Sequence, residues 1–150
     1  NVETIRRLTP VVRDHRAGYE QSIEVLRAIK ETDPKITTKT SLMLGLGETD
    51  DELMECFHDL RAVGVQILTM GQYLRPTQAG RHLQVTRYVP PDGFEELGQK
   101  ARAMGFLYVA SGPFVRSSYR AGELFLEGHI RKNDEEKMKT VKYTDSNGNH

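Results

Sequence analysis

The sequence predicts a parallel α/β fold, and three observations predict it. Three apolar runs, within "KITTKTSLMLGLG", "VQILTMGQYL" and "FLYVA", read as buried strands. Amphipathic helical patterns alternate with them. The connections are also longer than the ~12 residues that a crossover between parallel strands needs. A (β/α) barrel and a doubly wound sheet both satisfy this order, and both put their chemistry at the C-terminal ends of the strands.

The elements follow in chain order. "NVETIRRLTPVVR" carries apolar residues at helical spacing and reads as a short helix, ended or kinked near Pro10. "RDHRAGY" is a polar connection. From Tyr19 to Thr32, Ile23, Leu26, Ala28 and Ile29 mark a second helix that stops before Asp33-Pro34. The first strand then runs into a glycine turn. Thr49 and Glu52 form a T-x-x-E capping box, so a helix starts there and continues to about Ala62, with Gly64 beyond its end. The second strand is followed by a long connection from Arg75 to Pro91 that carries Pro76, Gly80 and His82. Residues 92 to 104 read as a helix, "FLYVA" as the third strand, and "YRAGELFLE" as a short final helix. Residues 131 to 150 are charged and polar, as a mobile tail would be.

Composition narrows the function classes. The 150 residues suffice for one domain with a sizeable core. Lys plus Arg and Asp plus Glu are 21 each, a balance that gives no reason to expect nucleic acid or a membrane surface as partner. No apolar run approaches the ~20 residues of a membrane span, and no signal-peptide pattern opens the chain. These features fit an intracellular globular segment. Cys56 is the single cysteine, so neither an internal disulfide nor a cysteine-only metal site is available. An opening at Asn1, without Met and directly in a helix-like pattern, fits a segment of a longer protein.

Three polar clusters fall at strand ends: "GLGETDD" at 45–51, "GQYLRPT" at 71–77 and "SGPFVRSSY" at 111–119. The first would allow close backbone approach to a ligand, or serve as an ordinary capped βα turn. In the second, the Gln72 amide and Tyr73 phenol would bind a ligand or satisfy neighbouring loops. Cys56 fits a small buried apolar residue, His58 lies in a helix pattern, and His82 has no second ligand near it in sequence. In the third cluster, Ser117 or Ser118 would cap a following helix, worth ~1 kcal/mol. Alternatively, Gly112, Arg116 and the two hydroxyls would cradle a phosphate at a barrel mouth.

The ordered strings "NVETIRRL", "VRDHRAGYEQSIEVL", "TKTSLMLGLGETDDEL", "DLRAVGVQILTMGQYLRPT", "HLQVTRYVPPDGF", "MGF" and "SGPFVRSSYRAGE" resemble the C-terminal half of the lipoyl synthase family, over roughly residues 1–130. The resemblance implies the C-terminal part of a partial (β/α)6, TIM-like radical S-adenosylmethionine (SAM) barrel over 1–130, followed by the polar tail. It implies insertion of two sulfurs, at C6 and C8, into the octanoyl-lysyl group of a lipoyl carrier domain. The cofactors would be SAM and two [4Fe–4S] clusters, one cleaving SAM and an auxiliary one serving as sulfur source. Partners would be octanoylated E2 subunits and the glycine cleavage H protein, an electron donor such as ferredoxin or flavodoxin, and iron–sulfur carrier proteins. The compartment would be the mitochondrial matrix in a eukaryote and the cytoplasm in a bacterium.

Carried over residue by residue, the second serine of R-S-S-Y, Ser118, would be the fourth ligand of the auxiliary cluster, with Arg116 holding its hydroxyl deprotonated or balancing the cluster's charge. An alkoxide is a harder donor than thiolate and is poorly matched to a sulfide-rich cluster, which suits a site that must give up sulfur. Asn1 and Glu3 match the family's N-x-E, and Glu48 and Gln72 belong to its other motifs; all four would lie near SAM. Both cysteine motifs of the family are absent, so these 150 residues alone are expected to be inactive. "PTQAGRHL" is two residues longer than the family's usual spacing, which affects the placement of His82. The alternatives are a phosphate-binding barrel enzyme such as an aldolase, for which Lys39 is the only nearby lysine, and a non-catalytic remnant that binds the carrier domain.

Overall fold

The structure, a computed structural model, describes residues 1–77 and 82–119. Its centre is a sheet of three parallel strands, β1 (Lys39–Leu44), β2 (Ile67–Gln72) and β3 (Tyr108–Ser111), lying side by side in sequence order. Helices α1 (Thr9–Val12), α2 (Tyr19–Thr32), α3 (Asp50–Ala62) and α4 (Pro91–Ala103) complete the described elements, with α3 and α4 in the two crossovers. The final helix expected from residue 119 and the polar tail lie outside the described residues, as does the tip of the long connection. Among the described residues no helix is long and apolar enough to cross a membrane.

The middle strand β2 is buried along its whole length, which is why it reads as a nearly continuous apolar run. Registers pair Lys39, Ser41 and Met43 with Ile67, Thr69 and Gly71, and the first two of these with Tyr108 and Ala110. Side chains alternate along a strand, so these residues share one face. The opposite face carries Leu42, Leu44, Leu68, Met70 and Val109 into the core. There they join Leu53, Phe57 and Leu60 of α3 and Phe94, Leu97 and Ala101 of α4. Phe57 meets Phe106 edge to face, with ring centroids 6.1 Å apart.

Helix α3 begins as its sequence dictates. The Glu52 amide donates to Thr49 Oγ1 (3.3 Å), and the Glu52 carboxylate accepts from the Thr49 amide (2.9 Å). Arg7 also bonds this carboxylate, at 2.6 and 3.0 Å. That pairing, with the Thr49 amide, holds Glu52 down from 4.5 to about 2. A depressed carboxylate stabilises the fold above its ordinary value and loses that contribution as pH falls towards the folded one. Glu52→Gln should therefore flatten the acid limb of stability between about pH 4.5 and 2, and Thr49→Ala should cost ~1 kcal/mol in urea unfolding at pH 7. An unchanged acid limb in Glu52→Gln would refute the pairing.

The opening stretch differs from expectation. Only Thr9–Val12 is helical; Glu3 instead forms a parallel bridge with Leu42, giving its N–H to the Ser41 carbonyl (2.9 Å) and accepting from the Met43 amide (2.8 Å). Val2, Ile5 and Leu8, whose spacing suggested a helix, are all buried in the core. The periodicity located the buried side chains, but the free edge of β1 offered backbone groups that an extended segment satisfies better. Glu3 takes a left-handed φ of 69° at this bridge, an uncommon conformation for a residue with a side chain.

Candidate active site

The first two polar clusters lie at the C-terminal end of the sheet; the third leaves β3 there and turns back across the sheet, its Val115 carbonyl beside Gly71 and its Ser117 carbonyl bonded to Lys39 at the start of β1. Strand β1 delivers the turn Gly45–Thr49, β2 delivers Gln72 and Tyr73, and β3 delivers the segment Gly112–Tyr119. A cavity of about 410 Å³ is lined by Gly71, Gln72 and Tyr73 of the second cluster, Arg116 and Ser117 of the third, and Glu3, while the turn after β1 does not line it.

Of the residues singled out in the sequence, Glu3, Gln72, Tyr73, Arg116 and Ser117 line this cavity, while Glu48, Asn1 and Ser118 do not. Glu48 is buried and its carboxylate turns back onto the chain, accepting from the amides of Gly45 (2.7 Å) and Leu46 (2.9 Å). It closes the β1–α3 turn from inside. Gln72 is likewise committed: Nε2 donates to the carbonyls of Tyr73 (3.0 Å) and Arg87 (3.1 Å), and Oε1 accepts from the Val89 amide (2.9 Å). Gln72 thus straps residues 87–89 across the strand ends. Asn1 lies apart, on a second cavity of about 500 Å³ shared with Arg13, Arg16 and Lys39.

The segment after β3 folds back over the sheet. The Val115 amide bonds the Gly112 carbonyl (3.1 Å), and the Tyr119 amide bonds the Arg116 carbonyl (2.9 Å), which closes a turn around Ser117 and Ser118. Ser118 is exposed. Arg116 clasps its own turn, Nη1 donating to the carbonyls of Val115 (2.7 Å) and Pro113 (3.2 Å). Two further residues fix the segment; sequence reasoning assigned Gly71 no role, and Lys39 only that of a nearby lysine for an aldolase-like enzyme. At Gly71 an added Cβ would stand 2.0 Å from the Val115 carbonyl oxygen, so only glycine lets the segment lie so close to β2. Lys39 donates from Nζ to the Ser117 carbonyl, and burial pushes its amine below the ordinary value. A glycine inside an apolar strand run is itself a signal of close backbone approach, and "LTMGQYL" carried it.

The remaining candidates are accounted for by packing. Cys56 is buried in α3, and burial pushes its thiol up to about 11. Tyr73 donates its hydroxyl to the Leu83 carbonyl (3.0 Å), and His58 and His82 are exposed. Among the described residues no group of three or more His, Cys, Asp or Glu is placed to hold a metal.

The chain aligns over 132 residues, 88% of its length, with the mitochondrial lipoyl synthases of Komagataella phaffii (57% identical) and Phaeosphaeria nodorum (59% identical). A bacterial relative, the lipoyl synthase of Anaeromyxobacter sp., is 58% identical over 130 residues, 87% of the chain. This chain is a relative of the lipoyl synthases. It covers 31%, 34% and 44% of those three proteins, so it spans about a third to under a half of the curated relatives it matches. No family model matches the chain. The strings that resemble lipoyl synthase fall where a site would be built: "GLGET" after β1, "MGQYL" ending β2 and leaving it, and "SGPFVRSSY" at the end of β3 and beyond.

Proposed function

We propose that the chain is the C-terminal part of a lipoyl synthase barrel, serving radical-SAM insertion of two sulfurs at C6 and C8 of an octanoyl-lysyl group. The observation that carries this reading is a cavity on a parallel sheet that Gln72 and Tyr73 of MGQYL line together with Arg116 and Ser117 of RSSY and Glu3, with the GLGET turn packed against Gln72. The sequential order of β1, β2 and β3 supports a barrel wall, since successive crossovers of one hand lay their helices on the same side.

A [4Fe–4S] cluster is held by thiolates, and Cys56 is the only cysteine, buried and protonated. The cluster that cleaves SAM therefore finds no ligands among these 150 residues. For the auxiliary cluster, the exposed Ser118 hydroxyl in its closed turn would supply one ligand, and the described residues hold no group of three or more His, Cys, Asp or Glu to complete the set. When bound, SAM and its cluster supply hydrogen abstraction, and the auxiliary cluster supplies sulfur.

The chain's own residues hold and shape. Ser118 offers the oxygen ligand, and Arg116 braces the peptide before it while adding positive charge. Glu3 presents a carboxylate to the cavity and Gln72 forms its wall, so these two stand near SAM; Glu48 acts through the turn it fixes, and Asn1, on the second cavity, stands away from this position. The substrates are octanoylated carrier domains, E2 subunits and the glycine cleavage H protein, with ferredoxin or flavodoxin as electron donor and iron–sulfur carriers supplying clusters. The compartment is the matrix in a eukaryote and the cytoplasm in a bacterium. A phosphate-binding site at Gly112–Tyr119 has less support, because Arg116 Nη1 is spent on two carbonyls of its own turn.

The test is Ser118→Ala in the full-length protein. SAM cleavage should persist while lipoyl formation falls by more than about tenfold, the scale of losing a metal-site contact. Wild-type lipoyl formation in that variant would overturn the ligand assignment.

A further inference from the structure

Lys39 opens β1 on the face of the sheet opposite the helical core, in register with Ile67 and Tyr108. Lys39 is half-buried as a residue, and its ammonium makes a hydrogen bond at the solvent-open side of the sheet. The acceptor it finds is the backbone carbonyl of Ser117, 78 residues along the chain. A second hold on the same segment lies at Gly71, on the same face, whose missing side chain leaves room for the Val115 carbonyl. The segment is thus held at Val115 by fit and at Ser117 by a charge-assisted hydrogen bond, which is stronger than a neutral one. Ser118 is the next residue, its Cα one trans peptide, about 3.8 Å, beyond that of Ser117.

We propose that Lys39 is a positioning residue: on the face of the sheet opposite the helical core it ties down the peptide that precedes Ser118, and so sets where that hydroxyl stands. The role of Ser118 rests on the function proposed above; the anchoring of its turn does not. A lysine suits the task because its four-carbon stem is long enough to carry the ammonium from the start of β1 to a carbonyl of the segment folded over the sheet. The closing bond comes from a residue far off in sequence, so the turn keeps its place only while β1 and β3 stay in register with β2.

The experiment uses the full-length protein as Lys39→Met, which keeps the stem and removes the donor, and Lys39→Arg, which keeps a donor. Hydrogen exchange should rise about tenfold or more at the Tyr119 amide, which the turn bonds to the Arg116 carbonyl, in Lys39→Met, with β1 and β2 unchanged, and Lys39→Arg should restore most of the protection. The Met variant should also cleave more SAM per lipoyl group formed, and the Arg variant should bring that ratio back. Unchanged exchange in Lys39→Met overturns the anchor. Raised exchange that Lys39→Arg fails to rescue also overturns it, as a loss of packing only. Raised exchange with wild-type lipoyl formation overturns the link to Ser118. A wild-type protein that forms no lipoyl group fails the proposed function, while the exchange result still decides the anchor.

Discussion

Replacing Gly71 by alanine is expected to dislodge the segment that carries Ser118. The new Cβ would lie 2.0 Å from the Val115 carbonyl oxygen, 3.0 Å from its carbon and 3.2 Å from Arg116 Nη1. Two of those three atoms are backbone, so no rotamer change relieves the clash. Strand β2 is buried throughout and hydrogen-bonded on both edges, so the Val115–Ser117 peptide must move. Overpacking of this kind costs ~1–3 kcal/mol. The functional loss should be larger than the thermodynamic one, because a displacement of about 1 Å at a reacting centre can cost ~100-fold in rate. Urea unfolding and lipoyl formation by the full-length protein measure the two separately. Gly112→Ala is the control: its Cβ would meet only Val115 Cγ2, at 3.5 Å, an ordinary contact. Equal lipoyl formation by both variants would show that the close approach at Gly71 does not matter.

Gly45→Ala should be the most destabilising alanine at the first strand end. Gly45 has a φ of +97°, and its Cβ would stand 2.3 Å from both the Arg87 carbonyl oxygen and Gln72 Nε2. Left-handed strain of ~1–2 kcal/mol adds to a steric term of ~1–3 kcal/mol, so a loss of about 3 kcal/mol in denaturant unfolding is expected. The strap made by residues 86–89 should loosen with it, since the Gly45 carbonyl accepts from the amides of Thr86 (2.8 Å) and Arg87 (3.3 Å). A loss below about 1 kcal/mol would mean that the strap simply moves aside, leaving little of the expected cost.

The sequence revealed this architecture unevenly, for physical reasons. Strands β1, β2 and β3 were legible because buried parallel strands are apolar runs, and the start of α3 was legible because a capping box is a local signal. The opening stretch misled because Val2, Ile5 and Leu8 bury equally well from an extended chain and turn as from a helix. Glu48 and Gln72 stood out by type and place, yet no pattern could say that their polar atoms serve neighbouring backbone amides and carbonyls. The contacts of Lys39 with Ser117 and of Gly71 with Val115 join residues far apart in sequence, where periodicity carries no information.

The burial of Cys56 reaches beyond packing. A thiol enclosed in α3, with its ionisation pushed up to about 11, should react slowly with alkylating and disulfide reagents at neutral pH. These 150 residues therefore carry a low background for thiol labelling. A single cysteine introduced at the exposed position 118 would report by its own reaction rate how open that turn is, with little second signal to subtract.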